Sequence, residues 1–454
     1  MPKVSVIMPS LNVAPYIREC IDSVINQTMR DLEIICVDAG STDGTWEILN
    51  EYAQADSRIR LLHSIKKSYG YQMNLGIREA RGEYIGIVET DDYILPEMYE
   101  ELYAYAVEYN ADFVKSDFDV FITPRVGERL FLKFPLGVRY DQLVTLEDYI
   151  QASSVDTFIW NGIYKRTFLL NNGIWFQETP GAAFQDCGFR YQVALSVQRG
   201  YFLKRSFYRY RRDNVNSSMY NSKCVLYNWS ECKYVLEIAQ KRGWTDPVRM
   251  GILAKNIAQT AYVPYMDMLV WCRPADGTSE VLAGFRHMVK GFINEGILGP
   301  QSVPEDVWLR IRMFVENPYF FEYYANLNAS VVAESFQKFL KAVSDQEQVI
   351  LFGSGQVGAS AYCAIRSSGL QNVVAFCDND PGKWGTEYMG LCVKAPDEAI
   401  KQFPNAHFMI TNRAHCVEIK KQLLECGVSA ENIAVYNLSS WPMLCANMSL
   451  RQFF

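Results

Sequence analysis

Apolar and polar positions in the first 120 residues alternate between two periods. VSVIMPS (4–10) is a nearly unbroken apolar run that reads as a buried strand, and PYIRECIDSVINQT (15–28) carries apolar residues at three- and four-residue steps, as an amphipathic helix does. The same alternation continues through LEIICVDAG (32–40), a helix near 44–55, RIRLLHS (58–64), the helical MNLGIREA (73–80) and EYIGIVETDD (83–92). Repeated β-α-β units predict a mostly parallel, doubly wound α/β sheet. Ligands of such sheets bind at the carboxyl ends of the strands, where DAGSTDG (38–44) and ETDD (89–92) fall.

Further on the pattern changes twice. Between about 221 and 340, stretches such as VLYNWSECKYVLEIAQKRG keep only helical spacing, which predicts a helical connecting region. From 348 onward VILFGSGQVGASAYCAIRSSG, NVVAFCDND, AHFMITN and NIAVYNL predict a second, small Rossmann-like α/β unit of four short strands. The expected organisation is therefore an α/β domain over 1–220, helices over 221–345 and the second α/β unit over 346–454.

A chain of 454 residues is too long for one ordinary core, which agrees with that division. Lys and Arg number 44 against 51 Asp and Glu, so the formal charge of -7 argues against a nucleic-acid partner. The 12 cysteines show no CxxC pairs or regular spacing, and MPKVSVIMPS has no signal-peptide character, so reduced thiols in a cytoplasm are expected. No apolar stretch approaches the roughly 20 residues of a spanning helix, which leaves peripheral contact at the inner membrane face as the kind open to it. His63, His287, His407 and His415 form no ligand spacing.

Two strand ends carry candidate chemistry. In Asp38-Ala39-Gly40-Ser41-Thr42-Asp43-Gly44 a carboxylate beside small residues can approach a base edge or ribose; the bland reading is a turn with Asp43 capping the next helix. Glu89-Thr90-Asp91-Asp92 places three carboxylates together without a basic neighbour, which a hard divalent cation, Mg²⁺ or Mn²⁺, would relieve; the bland reading is a solvated acidic turn.

The stretch from Pro2 to about Asp119 resembles the family 2 inverting glycosyltransferases of GT-A fold, on VSVIMPSLNVAPYIRECIDSVINQT, LEIICVDAGSTDGT and GYQMNLGIREARGEYIGIVETDDYILPEMYE in that order. The resemblance implies a nucleotide-diphosphate donor, UDP-linked, and places Pro9, Asn12, Asp38, Gly70, Asn74, Glu89 and Asp92 at the donor, with Asp38 on the uracil. Asp91 is implied as the metal ligand of a DxD-type element, in which Glu89 stands for the commoner first Asp. In WNGIYKRTFLLNNGIWFQETPGAAFQDCGFRYQVALS (160–196) the pair Gln185-Asp186 matches the family's acidic pair, so Asp186 is implied as the base that deprotonates the acceptor hydroxyl; its bland reading is a helix N-cap. Glu178 and Trp160 are expected at the acceptor, Trp160 by stacking or else as a core side chain. Arg212, in YRYRRDN (208–214) before Ser217-Ser218, is the candidate donor to the departing diphosphate.

Gly353-Ser354-Gly355-Gln356-Val357-Gly358 has the context of a dinucleotide fingerprint, with Asp378-Asn379-Asp380 near the ribose position, although a lone GxGxxG is a weak signal. The resemblance implies an enzyme of hexosyltransferase type that extends a glycan or lipid-linked glycan in bacterial surface polysaccharide synthesis, its oligomeric state open. Two other readings stand beside it. One is a non-catalytic nucleotide-sugar-binding scaffold, which retention of Asp186 disfavours; the other is a bifunctional enzyme whose C-terminal unit also binds a nucleotide.

Overall fold

A computed structural model describes residues 1–124, 127–148, 158–182, 184–214, 217, 221–412 and 414–436. The expectations resting on Ser218, on 156–157 and on 437–454 lie outside the described residues. The chain forms two compact units, one of residues 1–119, 134–210 and 216–325, the other of 120–133, 211–215 and 326–454.

In the first unit, strands β1 (Val4–Ser10), β2 (Leu32–Asp38), β3 (Ile59–His63) and β4 (Tyr84–Ile87) alternate with helices α1 (Ile17–Ile25), α2 (Thr45–Ala55) and α3 (Tyr69–Glu79). All seven positions of β1 and of β2 are buried, as expected for central parallel strands covered on both faces. Helix α1 buries Ile17, Cys20, Ile21 and Val24, the stripe that its three- and four-residue spacing dictates. Parallel registers pair Ser10 with Asp38 and Ile7 with Ile87, so the ends of β1, β2 and β4 reach one edge together.

After β5 (Tyr93–Ile94), α4 (Met98–Glu108), β6 (Phe113–Ile122), β7 (Leu130–Phe134) and β8 (Leu143–Val144), the strand β9 (Gly162–Lys165) enters antiparallel to β4. With β10 (Gly200–Arg211) the sheet follows the order β3-β2-β1-β4-β9-β6-β10-β5. The predicted parallel half is present, and the antiparallel half completes the GT-A architecture. Helix α5 (Arg166–Asn171) follows β9 directly, and α6 (Gln185–Ser196) lies between it and β10.

Helices α7 (Cys224–Lys241), α8 (Pro247–Thr260), α9 (Val263–Trp271), α10 (Thr278–Asn294) and α11 (Glu305–Glu316) belong to this same unit, as does the start of α12 (Pro318–Ser344). The helices expected from residue 221 onward pack in this first unit as far as Ala325. Among the described residues no helix is long and apolar enough to cross a membrane.

The second unit contains β11 (Val349–Phe352), α13 (Gln356–Ser367), β12 (Val373–Cys377), β13 (Glu387–Tyr388), β14 (Leu391–Lys394), α14 (Pro396–Gln402), β15 (His407–Ile410), α15 (Cys416–Glu425) and β16 (Ile433–Val435). The sheet order is β13-β14-β12-β11-β15-β16, so an unexpected β13–β14 hairpin extends the four predicted strands. Its core includes Ile350, Phe352, Phe408, Ile410 and Leu423. Gly353 has φ 121°, a conformation closed to most side chains. Asp378 accepts from the Ser354 amide at 2.9 Å, the Ser354 hydroxyl at 2.6 Å and Lys383 Nζ at 3.0 Å. Burial pushes its carboxyl up, but these donors outweigh it and hold it at about 2. Asp378 therefore closes the glycine loop on itself.

Candidate active site

Glu89 ends the edge formed by β1, β2 and β4. Its side chain is half-buried, and Tyr69 at the first position of α3 donates to Oε1 at 2.6 Å. Burial pushes the Glu89 carboxyl up to about 8, the charges of Asp91 and Asp186 add to the rise, and the Tyr69 hydroxyl opposes it. Asp91, two residues on, is half-buried.

Asp186 reaches this place because the chain around it is pinned. Tyr69 N–H donates to Gly181 O at 2.9 Å, Gly181 N–H to Lys67 O at 2.8 Å, and Gln185 Nε2 to Thr179 Oγ1 at 2.9 Å. The segment before α6 is thereby tied to the start of α3. Asp186 lies inside the first turn of α6, whose N-cap is Phe184 with φ 64°, so it is not the N-cap of that helix. Burial pushes its carboxyl up, opposed by the Arg190 charge one turn on and by the amides of residues 186 and 187. A half-buried carboxylate with an elevated proton affinity, whose charge, like that of half-buried Asp91, is felt by Glu89, is an arrangement suited to taking a proton from a bound hydroxyl.

Comparison with known proteins bears on this geometry. The family described as Glycosyl transferase family 2 matches residues 5–194. Glycosyltransferase GlyG of Streptococcus pneumoniae serotype 4 is 40% identical over 213 residues, covering 46% of this chain and 70% of GlyG. The chain belongs to glycosyltransferase family 2. An uncharacterized glycosyltransferase EpsJ of Bacillus subtilis (strain 168) is 32% identical over 224 residues, 48% of this chain and 63% of EpsJ. The chain thus spans less than two thirds of that relative. Among solved structures, S. aureus TarS 1-349 in complex with UDP-GlcNAc matches with TM-score 0.51 at 20% identity, covering 74% of this chain and 92% of that one; the likeness is one of fold. Residues 345–434 match the family described as C2185-like, N-terminal.

Within this family 2 chain several expected site residues are occupied by the fold itself. Asp38 is fully buried: its Oδ2 accepts from the amides of Gly40 at 2.8 Å and Ser41 at 2.9 Å, and its Oδ1 from the hydroxyls of Ser41 at 2.5 Å and Ser10 at 3.2 Å. Four donors fill the roughly four lone-pair positions of a carboxylate, so in this conformation Asp38 shapes the loop. Asn12, in the left-handed region at φ 56°, joins the same loop: its amide donates to Ser41 Oγ at 2.9 Å and its Oδ1 accepts from Thr42 N–H at 2.8 Å. Buried Pro9 contributes its carbonyl, which accepts from Thr90 Oγ1 at 2.8 Å. Asp43 stands one residue outside the N-cap, Gly44, and accepts from the Thr45 hydroxyl at 2.6 Å.

Asp92 is held inside the fold. It is 1% exposed and accepts from Tyr208 Oη at 2.8 Å, while that hydroxyl accepts from Glu89 N–H at 3.0 Å. The expected trio of carboxylates is therefore split, with Asp92 turned into the protein, and among the described residues no three His, Cys, Asp or Glu side chains form a metal cluster. Trp160, 6% exposed, stacks on Tyr208 at 4.1 Å between ring centroids and packs on Phe118 at 4.8 Å, the packing of a core side chain, which is the second of its two expected readings.

Gly70 and Asn74 hold α3 against the segment before α6. A Cβ on Gly70 would lie 2.0 Å from Gln177 O, and Asn74 exchanges bonds of 2.9 Å with the Phe176 carbonyl and amide. Glu178 accepts from Lys66 Nζ at 2.8 Å and Asn74 Nδ2 at 3.2 Å and stays partly exposed. Arg212 falls in the second compact unit, 3% exposed, with its amide on Phe121 O at 3.0 Å.

Sequence reasoning missed Tyr69, Tyr208 and Glu231. Glu231, on α7, is 1% exposed, its carboxyl pushed up to about 9 by burial and by the Asp186 charge. Nothing in WSECKY marks that glutamate as different from a solvated one.

Proposed function

We propose that this chain transfers a sugar from a UDP-linked donor to a hydroxyl of a glycan, with inversion at the anomeric carbon, in the synthesis of a surface polysaccharide. The observation that carries the reading is Asp186, a half-buried carboxylate on the first turn of α6 that shares its electrostatic environment with Glu89 and Tyr69 at the strand-end edge. Asp186 takes the acceptor proton as the hydroxyl attacks from the face opposite the nucleotide, and the single displacement inverts the centre. TarS 1-349, which shares the fold, is in complex with UDP-GlcNAc, which supports a UDP-linked donor.

The donor set suits a divalent cation. Mg²⁺ is commonly held by one or two carboxylates plus substrate phosphates, so half-buried Asp91 with the diphosphate oxygens suffices without a third side chain. Bound there, Mn²⁺ or Mg²⁺ supplies positive charge to the leaving diphosphate. Asp38 and Asn12 hold the loop against which the nucleoside rests, and Glu178 with its Lys66 partner lies on the acceptor side. On this reading the enzyme works in the cytoplasm, at the inner membrane face where the acceptor is lipid-linked, and the described residues between 346 and 436 form a Rossmann-like unit.

The test is UDP or GDP release from a panel of nucleotide sugars with Mn²⁺, for wild type, Asp186→Asn and Asp91→Asn. One donor consumed by wild type alone supports the reading. A protein that binds no nucleotide sugar at all refutes it.

A further inference from the structure

Helices α6 and α7 meet at a glycine. A Cβ on Gly188 would lie 2.2 Å from Oε2 of Glu231, so the absent side chain makes room for this carboxyl on the face of α6 two residues after Asp186. The carboxyl takes a backbone hydrogen bond from Gly188, and its Oε2 has no hydrogen-bond partner among the described residues. A buried carboxylate so poorly solvated would be costly, and doubly so beside the charge of Asp186; as the protonated acid it is tolerable. The Asp186 charge acts on it from α6, and it acts in turn on Cys187 of α6 and on Cys232 and Tyr234 of its own helix, with Arg190 acting on Asp186 and both cysteines.

We propose that Glu231 is a positioning residue for the base: held as a neutral acid against Gly188, it fixes the first turn of α6 and leaves half-buried Asp186 as the ionised member of the carboxyl pair. Two coupled carboxyls resolve into one acid and one base, and Asp186 is the one whose charge reaches Glu89 and Tyr69 at the strand-end edge. This inference rests on the role proposed for Asp186.

The experiment compares Glu231→Leu, Glu231→Gln and Asp186→Asn by UDP release from whichever UDP-sugar the panel selects, with donor KM and a pH profile from 6 to 10. Glu231→Leu is expected to lose at least about tenfold in kcat with donor KM unchanged, because α6 loses its anchor and not its donor contacts. The Gln variant, isosteric and always neutral, is expected to restore that kcat and to lack the loss of activity that wild type shows as Glu231 ionises near pH 9. Wild-type kcat in Glu231→Leu, equal losses in the Leu and Gln variants, or identical alkaline limbs in wild type and Glu231→Gln would each overturn the proposal. An inactive Asp186→Asn beside a fully active Glu231→Leu removes this inference alone, whereas an active Asp186→Asn removes the base and this inference with it.

Discussion

Tyr208→Phe tests whether Asp92 is a strut inside the fold. The Tyr208 hydroxyl donates to Asp92 Oδ2 at 2.8 Å and accepts from Glu89 N–H at 3.0 Å, with Tyr208 and Asp92 at 0% and 1% exposure. Removing it deprives a buried carboxyl of a donor, a loss of about 1.5–3 kcal/mol for a bond to a charged group, and strands a peptide N–H at a further cost of about 1–3 kcal/mol. The two losses share one site and do not simply add, so a destabilisation of about 2–4 kcal/mol is expected. For a unit of roughly three hundred residues the unfolding entropy is about 0.6 kcal/mol per degree, which converts this to a Tm lower by about 3–6 °C. Thermal unfolding followed by circular dichroism at fixed pH reads the shift. A double-mutant cycle with Asp92→Asn should show a coupling above about 1 kcal/mol. A Tm within about 1 °C of wild type, or no coupling, would refute the strut and return Asp92 to the donor site.

Asp186→Asn should lower kcat by about 10²–10⁴ while nucleotide-sugar affinity by calorimetry stays at the wild-type value; weakened binding of the same size would move Asp186 to the donor. Gly70→Ala, whose Cβ meets the Gln177 carbonyl oxygen at 2.0 Å, should cost about 1–3 kcal/mol or more in urea unfolding, since a backbone atom cannot yield as a side chain does. Trp160→Ala should cost about 3–5 kcal/mol yet leave acceptor KM unchanged, and a raised KM at retained stability would restore it to the acceptor pocket. Glu231, pushed up to about 9 in the folded chain, binds its proton there at pH values where the unfolded chain, with an ordinary carboxyl near 4.5, has released it. Stability therefore falls as pH rises from about 4.5 towards 9, and Glu231→Gln should flatten that fall; equal slopes of the urea midpoint between pH 6 and 9 would contradict the assignment.

The sequence by itself determined the parallel strands, their helices and the edge at which chemistry sits, because burial on two faces writes itself as unbroken apolar runs and burial on one as helical spacing. DAGSTDG and ETDD stand where that reasoning puts them, and Asp186 was legible through its motif. The direction in which each carboxylate points was not legible. Asp92 is turned inward by a tyrosine 116 positions away, Asp38 is saturated by amides of a loop that exists only once folded, and Trp160 is stacked on that same tyrosine. Glu231 gains its character from a glycine on another helix, a contact that leaves no periodic trace in its own. Periodicity records how deeply a residue is buried, whereas the protonation and partners of a buried carboxyl depend on desolvation and on side chains that only the tertiary fold brings within reach.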